Sequence, residues 1–433
     1  MSLSPTPRSR ETLAWAFYDW ANSAFVLLVV TAIYPIFFGS YWAKGLSSAD
    51  TTFWLGLTAS ASSLVLALTA PILGAIADHC GRRKLALLAF VVLGVLATAG
   101  LGVLGVGAWG MALLLYFLGN LGFNGANTFY DSLLPSVSTE KNRHKVSALG
   151  FALGYAGSVL LLLGCFYLIS NPSVLGYTDK TGPTKLSFVL TALWWAIFTM
   201  PLMLTVREPA RDRISWRAAC GLCRETFWAD VRTVLKVPGM GWFFGAFWLY
   251  NDGINTIIRL AGKLASDLGF STPDLMSAIV VVQVVGVPSA LLFGWLGQRF
   301  GVRAMIIIGL AIYLGVTVYA SAMTATPIHL AGVTLSPIMA LAIMIGLVQG
   351  GVQSLSRSLF ASMIPTGLEA ASFGLYNVVG KAAAIVGPVL VGVVSKLTGS
   401  TQLGILVLAP FFLVGGILLL KSRVVESRLK IED

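Results

Sequence analysis

Long apolar runs separated by short polar stretches are the main pattern along this chain. Twelve of them are long enough to cross a hydrocarbon core of about 30 Å, which takes about 20 helical residues. Because the runs lack the alternation of membrane strands, they predict helices and exclude a β-barrel. The predicted spans are 13–38, 53–77, 85–106, 110–135, 146–170, 186–206, 240–264, 275–297, 303–323, 335–363, 370–396 and 401–421.

The composition also indicates a membrane protein. Of 433 residues, 57% are apolar and only 11% are charged, and the mean hydropathy is +0.84. These values exclude an ordinary soluble globular protein. We therefore predict an all-α integral membrane protein of twelve transmembrane helices, with the lipid bilayer as its surroundings.

The basic residues are distributed as a topology signal. With the N-terminus in the cytoplasm, the inside segments hold 21 Lys and Arg residues and the outside segments hold 5. The positive-inside rule then predicts that both termini are cytoplasmic. This distribution explains the net charge of +11 without a nucleic-acid partner. Flanked by Arg8 and Arg10, the first span reads as a retained anchor and not as a removed signal peptide.

A polar interval divides the predicted spans into six and six. We expect an N-terminal six-helix bundle at 1–206, a cytoplasmic linker at 207–238 and a C-terminal bundle at 239–433, the two bundles being related by pseudo-symmetry. The linker contains apolar residues at helical spacing, which predicts an amphipathic helix on the inner leaflet. Those residues are Trp216, Cys220, Cys223, Phe227, Val231 and Leu235.

The Cys220-x-x-Cys223 spacing, with His79 and Cys80 in another loop, also allows a metal or redox site. We favour the amphipathic face and expect no metal and no cofactor.

One loop pattern occurs twice. Gly74, Asp78, Gly81 and Arg83 in GAIADHCGRR match GWLGQRFGVR at an offset of 220 residues. In the second copy Gln298 replaces the aspartate, so we expect weaker interactions there.

A second repeated feature lies inside the membrane. Asp19 and Asn22 in the first span are matched by Asp252 and Asn255 in the seventh, each pair spaced i, i+3. Such spacing places both side chains on one helix face. Six-plus-six transporters bind their substrates near the midplane, between repeats.

Charged residues within the spans are the strongest site candidates, because a charge at the bilayer centre costs about 2.5–3.5 kcal/mol on insertion scales. Asp252, with Asp19, is a candidate for uptake of a proton or cation; alternatively, Asp252 and Lys381 neutralise each other. Arg357 is a candidate carboxylate anchor, with pairing to backbone carbonyls or a neighbour on its own helix as the alternative. The other candidates for binding a solute or ion are four neutral side chains and one further cation: Asn124, Asn127, Gln349, Gln353 and Arg259.

The duplicated loop resembles the signature of the major facilitator superfamily. The segments AFYDWANSAF, NGANTFYDSLLPSV, SALGFALGYAGS, GLVQGGVQSLSRSLFASMIP and FGLYNVVGKAAAIVGP resemble the branch that contains the autophagy-related vacuolar amino-acid effluxer and related bacterial permeases. The resemblance implies two bundles, alternating access and amino-acid efflux. It also implies an inner gate formed by Asp78, Arg82, Arg83 and the acidic Asp131, for which we favour a structural or gating role.

We therefore expect a monomeric secondary transporter of a small polar solute, coupled to protons, in a bacterial cell membrane. One alternative is a larger or lipid-linked substrate such as a muropeptide or lipid headgroup, and another is a membrane scaffold or sensor. An enzyme is disfavoured because the three histidines do not converge with a nucleophile or metal-ligand motif.

Overall fold

The computed structural model describes residues 9–208, 214–330, 333–383 and 385–422. Its first helices are α1 (Ser9–Ala24), α2 (Tyr34–Phe37), α3 (Ser48–Cys80), α4 (Arg83–Leu101), α5 (Trp109–Ser132), α6 (Leu134–Val137), α7 (Arg143–Ser170), α8 (Thr181–Thr205) and α9 (Trp216–Leu235). Wider π-helical turns at Phe25–Ala32 and Phe38–Trp42 continue the first helix, and a 3₁₀ turn at Pro172–Leu175 follows α7.

The later elements are α10 (Met240–Asp267), α11 (Thr272–Phe300), α12 (Val302–Ala322), β1 (Ile328–Leu330), β2 (Val333–Leu335), α13 (Pro337–Met363), α14 (Glu369–Ala382), α15 (Val386–Thr398), α16 (Thr401–Leu406) and α17 (Ala409–Lys421). The two strands pair antiparallel, with Ile328 opposite Leu335. This hairpin is a small exception to the predicted all-helical fold.

The predicted membrane helices are confirmed. Among the described residues, ten helical stretches are long and apolar enough to cross a bilayer. The other two predicted spans lie on α5 and α10, which have the length but carry several polar side chains. The structure is consistent with twelve spans, although the count itself stays a prediction.

Two predicted spans are not continuous helices. The span 370–396 divides into α14 and α15, and the span 401–421 divides into α16 and α17. In both cases the second helix has a proline, Pro388 or Pro410, in its first turn. Proline has no N–H to donate, and it is tolerated in a first turn because the N–H groups there have no intrahelical acceptor.

The chain divides into two compact units. The first comprises Met1–Thr139, Leu153–Trp228 and Gly367–Leu375. The second comprises Glu140–Ala152, Ala229–Thr366 and Tyr376–Asp433. Three helices therefore contribute to both units: α7 begins in the second unit, and α9 and α14 begin in the first.

Within the first unit, small residues of α7 bring this helix against α1. A Cβ at Gly154 would lie 2.5 Å from the Ser23 Oγ, and a Cβ at Gly157 would lie 2.9 Å from the backbone oxygen of Trp20. Both distances are below van der Waals contact. These glycines allow the close approach that small residues provide between membrane helices.

Within the second unit, stacked aromatic rings hold α10 against α13 and α14. The Tyr376 ring centroid lies 4.3 Å from that of Phe247 and 4.9 Å from that of Phe360. Phe243 stacks on Phe360 at 5.7 Å. This cluster positions the part of α10 that carries Asp252.

The predicted linker contains the helix α9, and part of its apolar face packs within the first unit. Cys223 is buried with Ala75, Ile76 and other residues of the first unit, and Trp216 and Phe227 pack against this cluster. Protein contacts therefore cover these residues, and the position of the helix on the inner leaflet stays a prediction. Cys220 is exposed, and the described residues contain no group of three or more potential metal ligands.

Replacing Gly157 with alanine should destabilise the protein by about 1–3 kcal/mol, the usual effect of overpacking. The added methyl group would meet the Trp20 ring and backbone, and one of them would have to move. Gly164→Ala on the same helix is the matched control, since a Cβ there meets nothing within 4 Å. Thermal unfolding in detergent measures the difference, and equal melting temperatures for the two variants would contradict the proposed close contact.

Candidate functional site

A buried carboxylate of α3 binds the start of α14. Asp78 is 1% exposed. Its Oδ2 accepts the N–H of Ala371 at 2.9 Å and its Oδ1 accepts the N–H of Ala370 at 3.2 Å. The first amides of a helix have no intrahelical acceptor and carry partial positive charge. Asp78 therefore caps α14 from another helix.

Arg83 completes this cluster with two ion pairs. Its Nε lies 2.7 Å from the Asp78 Oδ1, and its Nη2 pairs with Glu369 in the first turn of α14. Glu369 also accepts the N–H of Gly367 at 3.0 Å. Sequence reasoning missed Glu369, although an acidic residue just before a predicted span is a typical helix-start signal.

Two glycines of the loop pattern have clear structural reasons. A Cβ at Gly74 would lie 2.8 Å from the Ala371 nitrogen, so only glycine lets α14 approach α3 this closely. Gly81 adopts a φ of 61° at the C-cap of α3, a left-handed conformation that favours glycine.

The remaining predicted gate residues have the following positions. Arg82 is half-buried at the start of α4. Asp131 is 8% exposed near the end of α5, and Arg83 donates to the carbonyl of the next residue, Ser132, at 3.5 Å. A gating role for Asp131 stays a prediction.

The second copy of the loop has different contacts in the second unit. A Cβ at Gly294 would meet the side chain of Ala148 near the start of α7. Arg303 donates to the Ser422 carbonyl at 2.7 Å. Among the described residues, no donor reaches the buried Oε1 of Gln298, whereas Asp78 binds two amides and an arginine.

In the first unit, α1 and α5 bring the first Asp-x-x-Asn feature together with two α5 side chains. Tyr130 donates its hydroxyl to the Asp19 Oδ2 at 2.8 Å, and the Asn22 Nδ2 donates to the Asn127 Oδ1 at 2.6 Å. Asp19 is 8% exposed and Asn22 is 2% exposed. Tyr130 was missed, although it lies three residues after Asn127, the same spacing that singled out Asp19 and Asn22.

The neutral candidates are less closely connected. Asn124 is buried and donates to the Asn120 carbonyl of its own helix at 2.8 Å. Gln349 and Gln353 are half-buried on α13.

In the second unit, Asp252 caps the second half of the divided span. It is fully buried, and its Oδ2 accepts the N–H of Gly387 at 2.9 Å. The Thr256 hydroxyl donates to its Oδ1 at 3.3 Å. A Cβ at Gly387 would lie 2.8 Å from this oxygen, so glycine is needed for the carboxylate to reach the start of α15.

The alternative pairing of Asp252 with Lys381 is not formed. Among the described residues, the contacts of Asp252 are the amide and hydroxyl groups near Gly387 and Thr256. Lys381 and Asn255 are half-buried, and Arg259 is exposed. The structure thus separates the seventh-span acid from the lysine that sequence reasoning offered as its partner.

Arg357 contacts the start of α7. Its Nε donates to the Ser147 Oγ and its Nη2 to the Ser147 carbonyl, both at 2.9 Å. The guanidinium carbon lies 4.5 Å from the centre of the Phe151 ring, within cation–π range. These contacts support the alternative of pairing to backbone carbonyls, and the carboxylate-anchor role stays a prediction.

Comparison with solved structures identifies the fold. The major facilitator superfamily transporter FucP, in the outward conformation, aligns with a TM-score of 0.71 at 16% identity, covering 96% of this chain and 98% of FucP. The human organic anion transporter MFSD10 aligns with a TM-score of 0.70 at 16% identity, covering 95% and 99%. The fold is therefore that of a major facilitator superfamily transporter.

Sequence comparison identifies the family. The family described as "Vacuole effluxer Atg22 like" matches residues 44–431. The uncharacterized MFS-type transporter YxiO of Bacillus subtilis is 36% identical over 95% of this chain and 94% of its own length. The chain belongs to the Atg22-like family of multi-pass membrane transporters.

The chain is also similar to fungal proteins at lower identity. Autophagy-related protein 22-2 of Emericella nidulans is 28% identical over 62% of this chain. The match spans 50% of that fungal protein.

Asp78→Asn should loosen the start of α14, because the neutral amide removes a charge-assisted acceptor from two backbone N–H groups and from Arg83. Hydrogen exchange at Ala370 and Ala371 should become about tenfold faster or more. Asp50→Asn, in the exposed first turn of the same helix α3, is the matched control. Unchanged exchange in peptides covering 367–375 would show that Asp78 does not hold this segment.

Proposed function

We propose that this transporter is a secondary active transporter that moves a small polar solute by alternating access and couples this movement to protons. The observation that carries the proposal is the buried Asp252 carboxylate at the break between α14 and α15. It combines a titratable group with a discontinuous membrane helix.

The surroundings of Asp252 suit a reversible charge. Among the described residues, no lysine or arginine nitrogen lies within ion-pair distance of its oxygens. A carboxylate buried in a membrane helix is costly unless it is neutralised or hydrogen-bonded. Hydrogen bonds from Gly387 and Thr256 stabilise the charged form, and a bound proton would remove the charge altogether.

Protonation of Asp252 would also act on α15. The charged carboxylate faces a helix N-terminus, an interaction worth about 0.3–1 kcal/mol and up to about 2 kcal/mol when partly buried. Loss of the charge weakens this cap. Proton binding would thereby change the stability of the helix break and so influence the conformation of the transporter.

Asp78, Arg83 and Glu369 are proposed to gate the cycle. They hold the start of α14, and Asp252 holds the start of α15, so both halves of the divided span begin at a carboxylate. Breaking a buried pair by removing one partner typically costs about 3–5 kcal/mol. A conformation that separates these charges must therefore offer them other partners, so the cluster can hold one conformation until solute or proton binding favours another.

The polar cluster of Asp19, Asn22, Asn127 and Tyr130 supports a small polar solute, since it offers donors and acceptors in an otherwise apolar helix pair. Because the chain resembles vacuole effluxers, amino acids are the first solutes to test and efflux is the first direction of transport to test. We place the protein in a bacterial cell membrane, as a monomer with both termini cytoplasmic. The Bacillus relative supports the bacterial membrane, and the charge distribution supports the orientation of the termini.

The solute can be identified by untargeted metabolomics of cells that lack or overproduce the protein. A solute pool should change in opposite directions in the two strains and return with the wild-type gene. That solute then serves in proteoliposome assays.

Asp252→Asn should abolish the dependence of transport on an imposed pH gradient, because the amide keeps the shape of the side chain but cannot bind a proton reversibly. Transport of the identified solute into proteoliposomes measures this, with and without the gradient. Asp267→Asn is the matched control, since Asp267 is an acid at the exposed end of the same helix and pairs with Lys263.

Two results would reject proton coupling through Asp252. One is wild-type transport that does not respond to the gradient. The other is an Asp252→Asn variant whose response equals that of Asp267→Asn.

A further inference from the structure

A polar pocket of about 650 Å³ lies in the first unit, and neither Asp78 nor Asp252 lines it. It is formed by the start of α1, the start of α4, the end of α8 and the residues after α8. Its lining comprises Arg10, Glu11, Lys84, Leu204, Thr205, Val206, Arg207 and Glu208.

Hydrogen bonds within the pocket involve Glu208 and Lys84, and a longer ion pair involves Glu11. The Lys84 Nζ donates to the carbonyls of Met203 and Val206 at 2.7 and 2.6 Å. The Lys84 N–H donates to the Glu208 Oε1 at 2.8 Å. Arg207 approaches Glu11 through its Nε at 3.7 Å.

The donors that remain available in the pocket belong to its two arginines. The Arg207 side chain is 71% exposed, and its nitrogens make no hydrogen bond to the described residues. Arg10 is exposed and makes no side-chain hydrogen bond to the described residues. With three cations and two carboxylates, the lining has a positive balance. Guanidinium groups of this kind bind phosphate oxygens through two parallel hydrogen bonds.

Apolar side chains surround the pocket on the protein surface. Leu204 lines it and is 79% exposed. Leu13, one turn after Arg10, and Leu85, next to Lys84, are also exposed. In a membrane protein such residues face acyl chains. The pocket therefore lies where a basic surface meets a lipid-facing apolar surface.

We propose that this pocket binds the phosphate of an anionic phospholipid headgroup, with the acyl chains along Leu13, Leu85 and Leu204. A soluble phosphate compound could use the same arginines, but the apolar surface around the pocket favours the lipid. Basic pockets between membrane helices are known to suit such headgroups.

Titration of the purified full-length protein in detergent, followed by native mass spectrometry, tests the proposal. Phosphatidylglycerol should bind more tightly than phosphatidylcholine. The double variant Arg10→Gln, Arg207→Gln should bind phosphatidylglycerol about thirtyfold more weakly, since each of the two basic residues near an anionic surface contributes about 1 kcal/mol. Its binding of phosphatidylcholine should not change.

Two further variants control for charge and folding. Lys180→Gln, Lys396→Gln removes two exposed charges elsewhere and should bind phosphatidylglycerol as the wild type does. Arg10→Lys, Arg207→Lys keeps the charge and should retain more binding than the glutamine variant. Thermal unfolding checks that each variant is folded.

Three outcomes would overturn the proposal. These are wild-type phosphatidylglycerol affinity in the glutamine variant, equal binding of the two lipids by the wild type, and displacement of the lipid by glycerol 3-phosphate at similar concentrations. The last result would identify a soluble phosphate compound as the ligand.

Discussion

The backbone amides at the start of a membrane-embedded helix need an acceptor, because neither their own helix nor the hydrocarbon provides one. In this protein, aspartates from other helices supply that acceptor. Asp78 of α3 binds the first turn of α14, and Asp252 of α10 binds the first turn of α15. The division of the eleventh predicted span, the ion pairs of Arg83 and the proposed proton site all depend on these two contacts.

Such capping requires small residues at the contact. Gly74 lets the α14 backbone approach α3, and Gly387 lets Asp252 approach α15, since a Cβ at either glycine would collide with the neighbouring helix. The glycine of the loop pattern is thus a packing requirement of the Asp78 contact. In α7, Gly154 and Gly157 serve the same purpose against α1, next to the polar cluster that contains Asp19.

The repeated Asp-x-x-Asn feature shows that equal sequence does not mean equal environment. Asp19 accepts a tyrosine hydroxyl from α5, whereas Asp252 accepts a backbone amide at a helix break. Only the second arrangement links a carboxylate to the stability of a helix end. For this reason the proposed proton site rests on Asp252, while Asp19 and Asn22 fit the solute-binding role better.

The sequence by itself determined the helices, the membrane setting, the duplicated loop and the superfamily, because these depend on hydropathy, charge distribution and local spacing. It also singled out Asp78 and Arg83 through the loop pattern and Asp252 as a costly charge within a span. Tertiary structure decided their partners. Glu369 and Tyr130 became partners, and Lys381 did not pair with Asp252. Side-chain partners depend on the rotation and depth of each helix. The close contacts at Gly74, Gly157 and Gly387 determine that rotation and depth, and they cannot be predicted from a local sequence pattern.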